Sequence, residues 1–210
     1  IVESDKFRVI HNAIDYDKFK YNSNIRKKMR EEFNFKDSDI VIGHVGRFVE
    51  QKNHSFLIDV FYKCYEQNNN YKLLLVGTGE LEKFIKEKVR SLGIENNVIF
   101  AGFQSNVNDY MHAMDLFVFP SLFEGLGLVL IEAQACGLPC FCTANTIPKD
   151  VKILNNLQFI SLNDSALEWA KKIISSKLRI NDNNTYKEFK TMNYLISDIV
   201  IELEDKYMSM

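Results

Sequence analysis

The chain has 210 residues, 46% of them hydrophobic and 26% charged, which is typical of one globular domain, alone or with a short extension. Its 26 basic and 28 acidic side chains leave a formal net charge of −2, which argues against a dedicated nucleic-acid-binding protein and against an electrostatic membrane anchor. No run approaches the ~18 consecutive apolar residues of a membrane-spanning helix. The first residues show neither a signal-peptide pattern nor an initiator Met, so we expect a piece of a longer protein.

Short apolar segments alternate with longer amphipathic ones from residue 40 onwards. The apolar runs predict strands at 40–46, 72–77, 97–102, 115–120, 138–142 and 158–160. The segments between them predict helices at 53–67, 80–92, 106–113 and 127–136. Strands that are apolar throughout are typical of a sheet covered on both faces. The repeated strand–helix units therefore predict an α/β fold built on a doubly wound parallel sheet of about six strands.

The two ends of the chain have a different pattern. Residues 7–20 combine a short extended piece at 7–10 with a polar, turn-rich segment. After a polar break at 181–184, apolar residues at helical spacing predict one long amphipathic helix over 186–207.

The four cysteines lie at Cys64, Cys136, Cys140 and Cys142. They include no Cys-x-x-Cys pair, and no histidine stands at metal-ligand spacing from them. We therefore expect buried or half-buried free thiols and a reducing, cytosolic environment.

Three nucleotide-site motifs are absent or weak. No G-x-x-x-x-G-K-[ST] sequence occurs, which excludes a P-loop kinase at the motif level. Gly77-Thr78-Gly79 begins like a dinucleotide fingerprint, but Glu82 occupies the third glycine position and argues against an NAD site. Asp15-Tyr16-Asp17 has the D-x-D form of a metal-binding nucleotide-sugar site. Because it precedes the predicted sheet, we interpret it as a solvated turn.

Polar or glycine-rich loops follow four of the predicted strands, at 46–52, 77–79, 102–104 and 121–127. Ligands of open parallel sheets bind at the carboxyl ends of the strands, near the point where the strand order reverses. The four loops together therefore predict a ligand site at that edge of the sheet.

The segment 120–133 is the strongest of these elements. Gly125 and Gly127 stand between a strand and a helix, where the backbone can approach an anion and the first helical amides can bind phosphate. Glu124 in the loop and Glu132 in the helix suit a ribose or sugar diol, because a carboxylate accepts two hydrogen bonds from vicinal hydroxyls. The alternative is that Ser121-x-x-Glu124 is only a helix cap and Glu132 an exposed helical residue.

Arg47 and Lys52 supply the cations that a phosphate site requires. Arg47 follows the first strand directly after Gly46, so its backbone is held at the predicted cleft. A guanidinium binds phosphate oxygens as a fork, and an ammonium adds a mobile point charge. The alternative is a solvated loop with two unrelated basic residues.

With these motifs the sequence resembles the C-terminal, donor-binding domain of a retaining glycosyltransferase of GT-B fold, in the large glycosyl transferases group 1 family (family 4). The resemblance runs from about Val9 to Lys177. Its anchors are Gly46-Arg47-x4-Lys52-Asn53, Leu75-Val76-Gly77-x-Gly79, Val98-x-Phe100-x-Gly102, Pro120-Ser121-x-x-Glu124-Gly125-x-Gly127 and the Glu124-x7-Glu132 spacing, followed by Ala133, Gly137 and Pro139.

The resemblance implies a nucleotide-diphosphate sugar as donor, no other cofactor and no essential metal. It implies that Arg47 and Lys52 bind the diphosphate, Glu124 the donor sugar and Glu132 the ribose. Arg47, Lys52 and Glu124 would be catalytic. The implied donor-binding set is Gly46, Arg47, Lys52, Gly77, Gly79, Gly102, Phe103, Glu124, Gly125, Leu126, Gly127, Leu128 and Glu132.

Two segments depart from the family pattern. The family often has Gly-Gly-x-Pro-Glu after the fifth strand, whereas this chain reads Asn145-Thr146-Ile147-Pro148-Lys149-Asp150. The frequent Asn-Gly linker motif stands here as His11-Asn12-Ala13-Ile14-Asp15. The first departure weakens any prediction of donor contacts from that loop.

The resemblance also implies a domain organisation. Residues 1–20 would be an interdomain linker, 21–180 the Rossmann-like nucleotide-sugar-binding domain, and 181–210 a C-terminal helix that packs toward an N-terminal domain. That N-terminal domain would bind a glycan or lipid-linked acceptor, at a cytoplasmic location that allows peripheral association with the inner membrane face. The alternatives are a sugar-nucleotide epimerase or phosphorylase, and a non-catalytic nucleotide-binding module.

Overall fold

The computed structural model describes residue 10, residues 12–177, residue 179 and residues 185–208. In these ranges the strands are β1 (Ile40–Val45), β2 (Tyr71–Val76), β3 (Val98–Phe100), β4 (Leu116–Phe119), β5 (Cys140–Thr143) and β6 (Leu157–Ile160). The helices are α1 (Tyr16–Phe19), α2 (Ser23–Glu32), α3 (His54–Gln67), α4 (Glu82–Ser91), α5 (Val107–Ala113), α6 (Leu128–Ala135), α7 (Ala166–Ile174), α8 (Thr185–Thr191) and α9 (Ile196–Met208).

All six strands form one parallel sheet in the order β3-β2-β1-β4-β5-β6. From β1 the chain first adds strands on one side, through β2 to β3, and then returns to add β4, β5 and β6 on the other. The strand order therefore reverses between β1 and β4. In an open sheet this opens a crevice at the carboxyl ends of these two strands.

Helices cover both faces of the sheet and bury a hydrophobic core on each. One core contains α3, α4 and α7, with Trp169 completely buried against the sheet face that carries Ile42 and Phe141. The other core contains α1, α2, α5, α6 and α8, on the face that carries Val41 and Phe117. Side chains of each strand alternate between the two cores, which explains why the strands are apolar throughout.

The predicted fold class is confirmed: the six strands and the four helices predicted between them are all present. The third strand is shorter than expected, since it ends at Phe100 and the backbone at Gly102 is left-handed (φ 71°). Three helices, α1, α2 and α7, were not predicted. The four cysteines are all buried free thiols, as expected.

The prediction of one helix over 186–207 is wrong. Helix α8 ends at Thr191, the backbone at Asn193 is left-handed (φ 57°), and α9 begins at Ile196. Between the two helices, Leu195 forms a parallel bridge with Ile14, fixed by hydrogen bonds from Ile14 N to Tyr194 O and from Ile196 N to Ile14 O, each 3.0 Å long. This pairing of distant segments interrupts the helix.

The D-x-D segment is helical rather than a turn, because Asp15 is the N-cap of α1 and Tyr16 is buried in the core. Its two carboxylates are solvated, as expected, and pair with Lys18 and Lys20 at the surface. The extended piece expected at 7–10 and the predicted linker lie largely outside the described residues.

Helix α9 leaves apolar side chains exposed. Ile196, Val200 and Ile201 are 43%, 44% and 57% exposed, whereas Ile199 on the same helix is buried. None of the helices in the described ranges is long and apolar enough to cross a membrane.

Candidate donor site

Arg47, Lys52 and Glu124 lie in the two loops at the crevice between the carboxyl ends of β1 and β4. The loop after β1 carries Arg47 and the 3₁₀ turn Glu50–Lys52, and the loop after β4 carries Glu124. Three hydrogen bonds join the two loops: Leu122 N to Gln51 O (2.8 Å), Gln51 Nε2 to Phe123 O (2.9 Å) and Asn53 Nδ2 to Pro120 O (3.2 Å). The loops therefore form one connected surface at the switch point.

Lys52 and Glu124 form an ion pair at the centre of this surface. The distance from Lys52 Nζ to Glu124 Oε1 is 2.6 Å, and the side chains are 18% and 8% exposed. The ammonium also lies 4.8 Å from the centre of the Phe119 ring, within the range of a cation–π contact. Left-handed backbone at Asn53 (φ 52°) ends the 3₁₀ turn, and the Glu124 amide donates to Thr146 O (3.1 Å). Both partners are thus held by their backbones.

Arg47 differs from Lys52 in being exposed. Among the hydrogen bonds and ion pairs of the described residues, none involves its guanidinium. The site consequently has one cation already paired with a carboxylate and one that faces solvent.

Gly77 and Gly79 allow the loops after β1 and β2 to touch. A Cβ atom on Gly77 would collide with Gly46 O, and one on Gly79 would lie 2.5 Å from Phe48 O. Hydrogen bonds from Phe48 N to Thr78 O and from Leu81 N to Phe48 O, both 3.0 Å, close the contact. The Gly-x-Gly spacing is therefore explained by loop packing beside the site.

The loop after β3 places Gly102 and Phe103 at the same edge. Gly77 N donates to Gly102 O (2.8 Å), which joins this loop to the one after β2. Phe103 is 76% exposed, so its ring is available at the rim of the crevice.

The start of α6 provides amide groups at the crevice. Gly127 is the N-cap with left-handed backbone (φ 79°), and no side chain caps the helix. The first amides of a helix have no partner within it, so those of Leu128 and Val129 can bind an anion, whereas the Leu130 amide donates to Gly127 O (2.9 Å). A Cβ atom on Gly125 would meet no atom of the described residues within 4 Å. Leu126 is half-buried between the two glycines.

Glu132 is the fifth residue of α6 and is half-buried. Desolvation raises the pKa of its carboxyl group, and it makes no hydrogen bond or ion pair with the described part of the chain. The alternative given above, an exposed helical residue, does not describe Glu132. A desolvated carboxylate without a protein partner is available to a ligand hydroxyl.

Residues 25–192 match the family described as "Glycosyl transferases group 1". The chain belongs to the glycosyl transferases group 1 family. This member of the family is 33% identical over 172 residues to EpsF of Bacillus subtilis, which is named a putative glycosyltransferase; the match covers 82% of the chain and 45% of EpsF. The chain thus spans less than half the length of that relative.

Solved structures share the fold of this chain. The structure of Anabaena HepE in complex with UDP and glucose superposes with a TM-score of 0.80 at 23% identity, over 97% of this chain and 57% of HepE. The C-terminal domain of LpcC, a group 1 protein from Francisella tularensis, gives a TM-score of 0.71 at 23% identity. That match covers 87% of this chain and 99% of the LpcC domain.

Sequence reasoning missed two buried histidines beneath the candidate donor site. The rings of His44 and His54 meet edge to face, 4.6 Å between centres, and His54 stacks on Phe48 at 4.1 Å. His44 Nδ1 bonds to Val118 O (2.9 Å), and burial lowers the pKa of His44 to about 4 and that of His54 to about 2. Both imidazoles are therefore neutral. The sequence did contain a signal for His44, because a histidine within an otherwise apolar strand indicates a buried imidazole.

Unpartnered buried polar atoms concentrate at this edge of the sheet. Of the seven such side-chain atoms in the described ranges, five belong to His44 (Nε2), His54 (both ring nitrogens), Ser121 (Oγ) and Thr143 (Oγ1); the other two are Asn156 Oδ1 and Arg179 Nε. The first five lie at or next to the carboxyl end of a strand, or at the start of α3. Buried polar atoms are usually satisfied, so this group is consistent with an edge shaped for a polar ligand.

Proposed function

We propose that this chain is the donor-binding domain of a retaining glycosyltransferase that uses a nucleotide-diphosphate sugar. The observation that carries the proposal is the Lys52–Glu124 ion pair beside the exposed Arg47 and the uncapped start of α6. Two cations and a helix N-terminus suit a diphosphate, and a carboxylate within the same surface suits sugar hydroxyls.

In this proposal Arg47 and Lys52 bind the donor diphosphate and stabilise the negative charge that develops as it leaves. Amides from Gly125 to Leu128 contact phosphate oxygens, and Glu124 contacts the sugar. Glu132 accepts hydrogen bonds from the ribose hydroxyls. The loop of Gly102 and Phe103 borders the base. Gly46, Gly77 and Gly79 form the backbone surface on which the donor lies.

The proposed reaction proceeds by attack on the same face of the sugar from which the diphosphate departs. The acceptor hydroxyl oxygen forms the new bond to the anomeric carbon while the bond from that carbon to the phosphate oxygen breaks. The departing phosphate takes the acceptor proton. Because the new bond forms on the face from which the phosphate departs, the configuration is retained. With charge stabilisation supplied by Arg47 and Lys52, we propose that no metal is essential.

The proposal extends to the parts of the protein around this domain. Residues 1–20 are proposed as a linker to an N-terminal domain, and 181–210 as the segment that returns toward it. That domain would bind a glycan or lipid-linked acceptor, with the whole protein cytoplasmic and at the inner membrane face when the acceptor is lipid-linked. The exposed apolar side chains of α9 support a partner surface there.

Thermal unfolding with UDP, GDP or ADP tests the donor site. A ligand at 100 times its dissociation constant raises the melting temperature of a domain of this size by roughly 5–11 °C. We expect a shift with one diphosphate that is lost in Arg47→Ala and Glu132→Ala and kept in Arg90→Ala, an exposed arginine of α4. No shift with any diphosphate at millimolar concentration would contradict the proposal.

Transfer assays address catalysis. We expect the chain by itself to bind nucleotide weakly and to transfer no sugar, and the full-length protein to transfer it. Replacement of Glu124 in the full-length protein should abolish transfer, whereas a non-catalytic nucleotide-binding module would lose nothing.

A further inference from the structure

Lys52 and Glu124 are joined by both a hydrogen bond and an ion pair. Lys52 is the one side chain among the described residues that hydrogen-bonds to the Glu124 carboxylate, and Glu124 is the one acidic group paired with Lys52. Both side chains are more than four-fifths buried. The carboxylate therefore depends on this ammonium for its compensation, because a buried charge without a partner is strongly unfavourable.

The two partners face different parts of the proposed donor, and the inference below rests on the proposed function. Lys52 is assigned to the diphosphate and Glu124 to the sugar. A nucleoside diphosphate without a sugar attracts Lys52 and leaves Glu124 with no compensating group. An intact sugar nucleotide also attracts Lys52, but its sugar hydroxyls donate hydrogen bonds to the carboxylate.

We propose that the Lys52–Glu124 ion pair determines specificity for the intact donor over the nucleoside diphosphate product. When the diphosphate binds alone, it breaks the ion pair, and no group takes the place of Lys52 at the Glu124 carboxylate. When the sugar nucleotide binds, hydroxyl groups of the sugar take that place. Once the sugar has been transferred, the carboxylate again competes with the diphosphate for the ammonium, which weakens product binding and favours its release. Exposed Arg47 makes no such pair with the part of the chain that the structure describes, and it contributes to both ligands alike.

Glu124→Gln tests this inference because it removes the charge and keeps the shape of the side chain. The control is Glu66→Gln, which removes one carboxylate from a surface ion pair with Lys63 (2.7 Å) at the far end of α3. Titration calorimetry measures the dissociation constants of UDP and UDP-glucose, GDP and GDP-mannose, and ADP and ADP-glucose for each protein. Glu124→Asp serves as a second variant that keeps the charge, and thermal unfolding confirms that each variant is folded.

We expect Glu124→Gln to bind the nucleoside diphosphate about tenfold more tightly, while its affinity for the sugar nucleotide of the same base does not increase. Glu124→Asp should retain a preference for the sugar nucleotide, and Glu66→Gln should match the unaltered chain for both ligands. If Glu124→Gln binds the diphosphate no more tightly than the unaltered chain, this inference is wrong while the donor site stands. If the unaltered chain binds none of the six nucleotides, the proposed function fails, and the inference fails with it.

Discussion

Asp115 and Arg30 form a buried ion pair, 3.1 Å long, at the end of the sheet opposite the candidate donor site. The second oxygen of the carboxylate pairs with Arg26, and the Val41 amide donates to Asp115 Oδ2 (2.8 Å). Both guanidinium groups also donate to carbonyl groups at the end of α5, among them Ala113 O. One carboxylate thus joins α2 to β1 and to the start of β4.

Asp115→Asn is expected to lower the free energy of unfolding by about 3 kcal/mol, because the buried Arg30 and the partly buried Arg26 lose their anionic partner. Urea unfolding measures the change. The control is Glu31→Gln, which disrupts the exposed 4.0 Å pair with Lys27 and should change stability by at most ~1 kcal/mol. Equal effects of the two substitutions would show that Asp115 has no special role.

Gly79→Ala should destabilise the domain by about 1–3 kcal/mol, the usual range for overpacking. The added methyl group would lie 2.5 Å from Phe48 O and 2.7 Å from Phe48 N, and backbone atoms cannot move aside without shifting the loop that carries Lys52. Gly125→Ala is the matched control, since its methyl group would meet no atom within 4 Å. Comparison of the two unfolding free energies checks the prediction, which fails if Gly79→Ala is as stable as Gly125→Ala.

The strands of the central sheet could be predicted because each is recognised from a few consecutive residues. Strands β1 to β6 are short apolar runs, and such runs predict a sheet covered on both faces. Helix α2 was missed because charged residues dominate its sequence and its packing depends on Arg26 and Arg30. Helix α7 was missed although Ser165 and Glu168 form a capping box that its sequence displays.

The parts of the site that could not be predicted depend on contacts between distant residues. Arg47, Lys52 and Glu124 were each recognised by motif, but the pairing of Lys52 with Glu124 joins positions 72 residues apart. The break between α8 and α9 likewise follows from the bridge of Leu195 to Ile14, which overrides a helical pattern. Local periodicity contains no information on either contact.

The four cysteines should resist alkylation in the folded chain. Burial raises the pKa of Cys64, Cys136 and Cys142 to about 12 and holds that of Cys140 well above its usual value. Since the thiolate is the reactive form, we expect iodoacetamide at mildly alkaline pH to leave the native protein unmodified, as judged by intact mass. All 4 thiols should react in guanidinium chloride. Rapid labelling of one native thiol would contradict its buried placement.

Glu132 is expected to reduce the stability of the ligand-free chain in a pH-dependent way. Desolvation raises the pKa of its carboxyl group in the folded state above the unfolded value of about 4.3. The unfolded chain therefore ionises first as the pH rises, so stability falls through this interval, and the loss is complete above the folded pKa. Below the unfolded value both states are protonated and the loss disappears.

Glu132→Gln should consequently melt at a higher temperature than the unaltered chain at neutral pH, with the difference shrinking toward about pH 4. Glu66→Gln, at an exposed position, controls for the change in net charge. A variant that is less stable at neutral pH, or a difference independent of pH, would contradict the desolvation argument. If Glu132→Gln also weakens nucleotide binding, the Glu132 carboxylate contributes to ligand binding while it lowers the stability of the domain.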